Sequence, residues 1–119
     1  MSRKIIFYRT KDGKCPVEEF LDTLQAKEAQ KVLWVLRLIE ELDQIPSRYF
    51  KKLTDTEEIW ECRVTIRSNT YRIFAFFPEG DTVVLTHGYS KKSRKTEKTQ
   101  IKQAETYRRD YLKRMGRPI

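Results

Sequence analysis

Long apolar runs are missing from this 119-residue chain. No stretch approaches the roughly 20 apolar residues a membrane-spanning helix needs, and the first residues lack the charged-then-apolar organisation of a secretory signal. No membrane association is therefore expected. Cysteine occurs only twice, at Cys15 and Cys62. These fit neither a disulfide framework nor a metal-ligand spacing, and as reduced thiols they predict a cytoplasmic protein. With four Gly and four Pro the chain lacks a disordered or fibrous composition. Histidine occurs once, and there is no nucleophile elbow, Walker loop, HExxH or Cys-rich cluster. Hydrolases and metalloenzymes built on those signatures are excluded, and neither metal nor cofactor is expected. Acidic residues are also in deficit, at 17 against 25 Lys and Arg. The resulting net charge of +8 points to a polyanionic partner.

What is present suffices for one core. Hydrophobic residues make up 39% and aromatics 12%, which predicts a single domain over residues 1–119. β-Formers at residues 4–8 predict a first strand before the turn-prone Lys11-Asp12-Gly13-Lys14. Pro16 suits a helix's first position, and Val17, Phe20, Leu21 and Leu24 follow at helical spacing. Ala29, Val32, Leu33, Leu36 and Ile39, widened by Val35, Leu38 and Leu42, predict a longer helix over residues 27–43. The two form a hairpin with a corner near residues 26–28. After Pro46 the period changes to two. Strands are predicted at 59–66, 71–77 and 82–89, with a weaker one at 49–53; turns at Ser68-Asn69 and at 78–81 make an antiparallel meander. Thr96 is expected to cap a last helix, with Ile101, Ala104, Tyr111, Leu112 and Met115 on one face. The fold class is α+β.

The charges are not evenly spread. Along 59–66, Trp60, Cys62, Val64 and Ile66 point one way while Glu61, Arg63, Thr65 and Arg67 point the other. Arg72 interrupts an apolar run and shares parity with Phe74 and Phe76. Across a tight turn, Arg63, Arg67 and Arg72 could lie on one face, where a bound phosphate would relieve their repulsion. A nearby carboxylate pairing with Arg63, or plain solvation of Arg67, would be the structural alternatives. The loop Lys91-Lys92-Ser93-Arg94-Lys95 places four cations before a helix N-terminus, which itself favours anions. Lys51 and Lys52 repeat the theme. His87 shares the parity of Val83, Leu85 and Tyr89 and reads as a packed histidine before a catalytic one.

Taken in order, Lys51-Lys52-Leu53, Ile59-Trp60-Glu61-Cys62-Arg63, Tyr71-Arg72-Ile73-Phe74, and His87-Gly88-Tyr89-Ser90-Lys91-Lys92 with Lys95-Thr96 resemble the RelE/ParE toxin superfamily, closest to its phage Gp49-like, HigB-type branch. The resemblance spans nearly the whole chain. It implies a microbial-ribonuclease-like fold: an N-terminal strand, a helical hairpin, a three- to four-stranded antiparallel meander and a C-terminal helix. It further implies a type II toxin that cuts messenger RNA on the ribosome through attack of the ribose 2′-hydroxyl on the adjacent phosphate, without metal, and so inhibits translation. A helix-turn-helix, HigA-type antitoxin would neutralise it, and operator DNA would be reached only through that antitoxin. On these positions Arg63 and Arg72 face the phosphate, and Lys91 or Lys92 supplies a third cation or the leaving-group proton. Lys51, Lys52, Arg67, Arg94 and Lys95 bind RNA, while His87 and Tyr89 are weaker candidates. The general base stays open, because the C-terminal tyrosine of some RelE toxins has no clear counterpart. Glu97 also stands where many Gp49-like sequences have proline. Two other functions compete: a ParE-like gyrase inhibitor and a non-enzymatic RNA- or DNA-binding module.

Overall fold

Neither glycine nor proline separates the two helical patterns, and capping makes the break instead. The structure, a computed structural model, describes residues 2–90 and 94–118, with the backbone alone described at 94 and 95. After β1 (Lys4–Phe7), α1 (Pro16–Asp22) ends at Thr23, and α2 (Ala26–Glu41) begins behind the N-cap Gln25. The Gln25 backbone N–H donates to Glu28 Oε1 at 2.9 Å, and the Gln25 side chain accepts from the Glu28 backbone N–H. This reciprocal capping box satisfies two orphan donors. It sets the corner at residues 23–25, just ahead of the expected position.

The sheet has five strands in the order β1-β5-β4-β3-β2. The meander runs β2 (Phe50–Lys52), β3 (Trp60–Ile66), β4 (Asn69–Glu79) and β5 (Thr82–Ser90), all antiparallel, while β1 pairs with β5 in parallel. The β3–β4 turn is Arg67-Ser68, one residue before the expected Ser68-Asn69, because Ile66 pairs with Asn69. Arg67 takes φ 56°, the left-handed value that a type II′ turn requires at its first central residue and that glycine usually supplies.

Alternation along β3, β4 and β5 creates two cores. Cys62, Val64, Ile73, Ala75, Val83 and Leu85 pack against Val17, Phe20, Val32, Val35 and Ile39 of the helical hairpin. On the opposite side α3 (Arg94–Arg114) covers Phe74, Phe76, Val84 and Tyr89 with Ala104, Leu112 and the flanking Ile101, Tyr107 and Tyr111. The α+β order implied by the family resemblance is therefore the observed one. Three apolar residues expected on buried faces are instead exposed: Leu33 and Leu42 on and after α2, and Met115 beyond α3. Met115 lies past the last helical residue, where Gly116 takes φ 67° and the chain turns away. α3 starts at Arg94, so Thr96 lies in its first turn and is not the cap. Among the described residues no helix is long and apolar enough to cross a membrane.

Gly88 pairs with Ile73, but Leu85 pairs with Ala75, so Thr86 and His87 together oppose Phe74 in a β-bulge. The bulge shifts the phase of β5. His87 and Tyr89 look toward α3, whereas Val83 and Leu85 look toward the helical hairpin, so the parity read from the sequence does not hold.

Candidate nucleic-acid interface

Pairing of β3, β4 and β5 puts Arg63 opposite Arg72, and Arg72 opposite Tyr89, in one row across the α3 side of the sheet. Arg63 and Arg72 therefore do share a face. Two guanidinium groups in directly opposed positions repel, and Glu61, two residues before Arg63 on the same face, relieves this. Its Oε1 accepts from Arg63 Nη2 at 3.0 Å and its Oε2 from Arg72 Nε at 2.9 Å. One carboxylate thus bridges two cations, leaving the trio with a single net positive charge.

The trio is unevenly buried. Glu61 is 1% exposed and the Arg72 side chain 8%, while the Arg63 side chain keeps 36% of its surface open. Burying charge is tolerable only with pairing and hydrogen bonds, and here the accounting is incomplete: Arg63 Nε, Arg72 Nη1 and Tyr89 Oη are buried without a hydrogen-bond partner among the described residues. Burial, and next the Glu97 carboxylate, push the Tyr89 phenol well above its ordinary range, so it stays protonated. It can donate a hydrogen bond but cannot serve as a base at neutral pH.

His87 is buried at the floor of a cleft between α1 and α3. Its Nδ1 lies 3.1 Å from Thr86 Oγ1 and its Nε2 2.8 Å from Gln100 Oε1. With both nitrogens occupied and its pKa lowered by burial, it is a neutral packed histidine. Gly88 beside it permits the close approach of α1, since a Cβ there would sit 2.4 Å from the Phe20 ring.

The remaining candidates divide. Lys51 pairs with Glu61 across the β2–β3 ladder, so it lies on the guanidinium side, exposed at the sheet edge. Lys52 has the opposite parity and forms an ion pair with Glu58 at 2.5 Å. Arg67 does not join the row. It is exposed at the turn, near Glu28 on the helical-hairpin side, whose pKa is lowered chiefly by the hydrogen bond it accepts from the Tyr71 hydroxyl, then by the Gln25 backbone N–H, and only lastly by the Arg67 charge. Arg94 and Lys95 occupy the first turn of α3, and their side chains, like Lys91 and Lys92, lie outside the described residues. Ser90 pairs with Tyr71, so the chain enters that segment one step from the Arg72–Tyr89 pair. Sequence reasoning missed Glu61 as a site residue, although strict alternation had already put it on the face of Arg63. No group of three or more His, Cys, Asp and Glu among the described residues could hold a metal ion.

Among curated proteins none matches the chain. A family model, described as phage derived protein Gp49-like (DUF891), matches residues 19–109, from α1 through most of α3 and including the whole guanidinium row. A match over that much of the chain settles its kinship: the protein belongs to the Gp49-like family, a toxin-like family of the RelE/HigB type.

Proposed function

We propose that this protein is the toxin of a type II toxin-antitoxin pair and that it blocks translation by cutting messenger RNA on the ribosome. A helix-turn-helix antitoxin of the HigA type is its neutralising partner, and operator DNA is reached only through that antitoxin. The observation that carries the reading is the row of Arg63 and Arg72, bridged by Glu61, beside Ser90 at the end of β5.

The chemistry would use these groups as follows. The ribose 2′-hydroxyl passes its proton to water and attacks the adjacent phosphorus; the bond to the 5′ oxygen breaks, and that oxygen takes a proton. The products are a 2′,3′-cyclic phosphate and a free 5′-hydroxyl. Negative charge grows on the non-bridging oxygens, and a preorganised guanidinium stabilises it by several kcal/mol. Arg63 is the guanidinium with open surface, so it meets the phosphate. Arg72 is turned into the protein and locked to Glu61, so it positions Arg63 through that carboxylate. Lys91 or Lys92 supplies the third cation or the leaving-group proton. Only RNA offers the attacking hydroxyl, which makes DNA inert.

The test combines purified protein, ribosomes and a defined messenger RNA, with fragment ends mapped by primer extension. Codon-phased cuts are expected; they vanish when the scissile nucleotide is 2′-deoxy, and Arg63→Ala lowers the rate by about 10²–10³-fold. Intact messenger under these conditions would refute the reading. One observation favours a second function, a non-cleaving RNA-binding module: neither His87 nor Tyr89 is placed to exchange a proton with a bound strand. RNA retention without any cut would identify it.

A further inference from the structure

β2 begins at Phe50, so from Arg63 onward the outer edge of β3 has no strand partner among the described residues, apart from one bond in which the Arg63 backbone N–H donates to the Tyr49 carbonyl at 2.8 Å. Along this edge lies an open cleft of about 330 Å³ lined by Lys31, Arg48, Tyr49, Arg63 and Thr65. Three of its five residues are cations and none is acidic. Lys31 and Arg48 are exposed and form no ion pair with a described residue, so their charge is available, whereas half of the demand on Arg63 is met by Glu61. Cations and aromatic rings alternate here. Lys31 Nζ lies 4.9 Å from the centre of the Trp34 ring, Trp34 meets Tyr49 edge-on at 5.8 Å, and the Arg48 guanidinium lies 4.8 Å over Tyr49. Trp34 itself is 45% exposed, so its ring surface is open to a partner.

Interleaved cations and exposed rings are how proteins hold unpaired nucleic acid, the cations tracking phosphates and the rings stacking bases. A volume of this size, near the lower end for ligand sites, suits about one nucleotide and excludes a duplex. We infer that this edge cleft is a second RNA subsite: Lys31 and Arg48 hold phosphates of single-stranded RNA neighbouring the phosphate served by Arg63, and the Trp34–Tyr49 pair supplies a stacking surface for an adjacent base. Arg63 belongs to both places, because at the open edge of β3 it can be reached from the α2 side as well as the α3 side. The inference rests on the RNA-cutting reading only for the choice of RNA as the polyanion.

The experiment measures fluorescence anisotropy of a labelled 2′-O-methyl RNA dodecamer, which cannot be cut, with the full-length protein over a range of salt. Lys31→Glu/Arg48→Glu should weaken binding on the order of tenfold or more and flatten the salt dependence by about 1.4 in log–log slope, the value for two lost single-strand phosphate contacts. Lys14→Glu/Lys113→Glu, exposed and remote, makes the same charge change and should weaken binding far less. Circular dichroism confirms that both variants fold. Equal weakening in the two variants would overturn the subsite in favour of unspecific attraction. Displacement of the dodecamer by poly-glutamate as readily as by unlabelled RNA would overturn it in favour of an acidic peptide site. Ribosomal cleavage by the unmodified protein is scored separately: cutting with no difference between the variants removes the subsite and keeps the nuclease, whereas variant-specific loss of binding without cutting keeps the subsite and removes the nuclease.

Discussion

Replacing the Glu61 carboxylate by an amide, Glu61→Gln, tests the physical heart of the guanidinium row. The substitution preserves shape but leaves Arg72, only 8% exposed, as a buried cation facing a second cation on the opposed strand. Breaking a buried pair by neutralising one partner costs about 3–5 kcal/mol, because the other charge stays desolvated. The Arg63 leg adds little, at most about 1 kcal/mol, since over a third of that side chain meets water. At about 4 °C per kcal/mol for a domain of this length, the melting temperature should fall by about 12–20 °C. Urea unfolding at 25 °C, followed by circular dichroism, gives the free energy directly. The companion Glu61→Gln/Arg72→Met removes both charges and should be at least about 2 kcal/mol more stable than Glu61→Gln, since an apolar replacement of a buried pair is often neutral. A loss below about 1 kcal/mol in Glu61→Gln, or equal losses in the two variants, would refute the argument that Glu61 is there to neutralise Arg72.

Three further outcomes follow from the same geometry. His87 is the only histidine, and burial lowers its pKa, so the unfolded chain binds the extra proton more readily; stability should be fully present above about pH 6.5 and decline as pH falls below it, a slope that His87→Gln should flatten in pH-dependent urea melts. Gly88→Ala places a Cβ 2.4 Å from the Phe20 ring and should cost about 1–3 kcal/mol, with Phe20→Leu/Gly88→Ala losing less than the sum of its parts in the same assay. Arg67→Gly relieves a left-handed residue at φ 56° and should raise stability by about 1 kcal/mol, whereas Arg67→Val, β-branched in that conformation, should lower it; a fall in both would mean that the turn is not under strain.

Much of the architecture was legible because it is written in short-range periodicity. The alternation from Trp60 to Ile66 reports which side chains share a face, since successive residues of a strand must point oppositely, and the apolar stripe of α2 reports its buried side through the 3.6-residue turn. Arg72, sharing parity with Phe74 and Phe76, was assignable to one face before any coordinates. The phase of His87 was not legible. One extra residue in β5 reverses every parity beyond it, and the local signal in Thr86-His87-Gly88, a lone glycine within the strand, marks a bulge and a close backbone approach alike without saying which. Nor was the full length of the stripe a guide to burial, as Leu33 shows: it lies on the helix's apolar side, yet half of its surface stays open.

Residue types and their order along the chain therefore decided the α+β plan, the excess of positive charge and the presence of Arg63 and Arg72 on one side of the sheet. Tertiary structure alone decided what those charges do. Coulomb and hydrogen-bond energies depend on separations of a few ångströms between segments far apart in sequence, and only the strand register sets those separations. It is the register that hands Arg72 to Glu61 while leaving Arg63 partly open, and the start of β2 only at Phe50 that leaves room for Lys31 from one helix and Arg48 from a loop around the same strand edge.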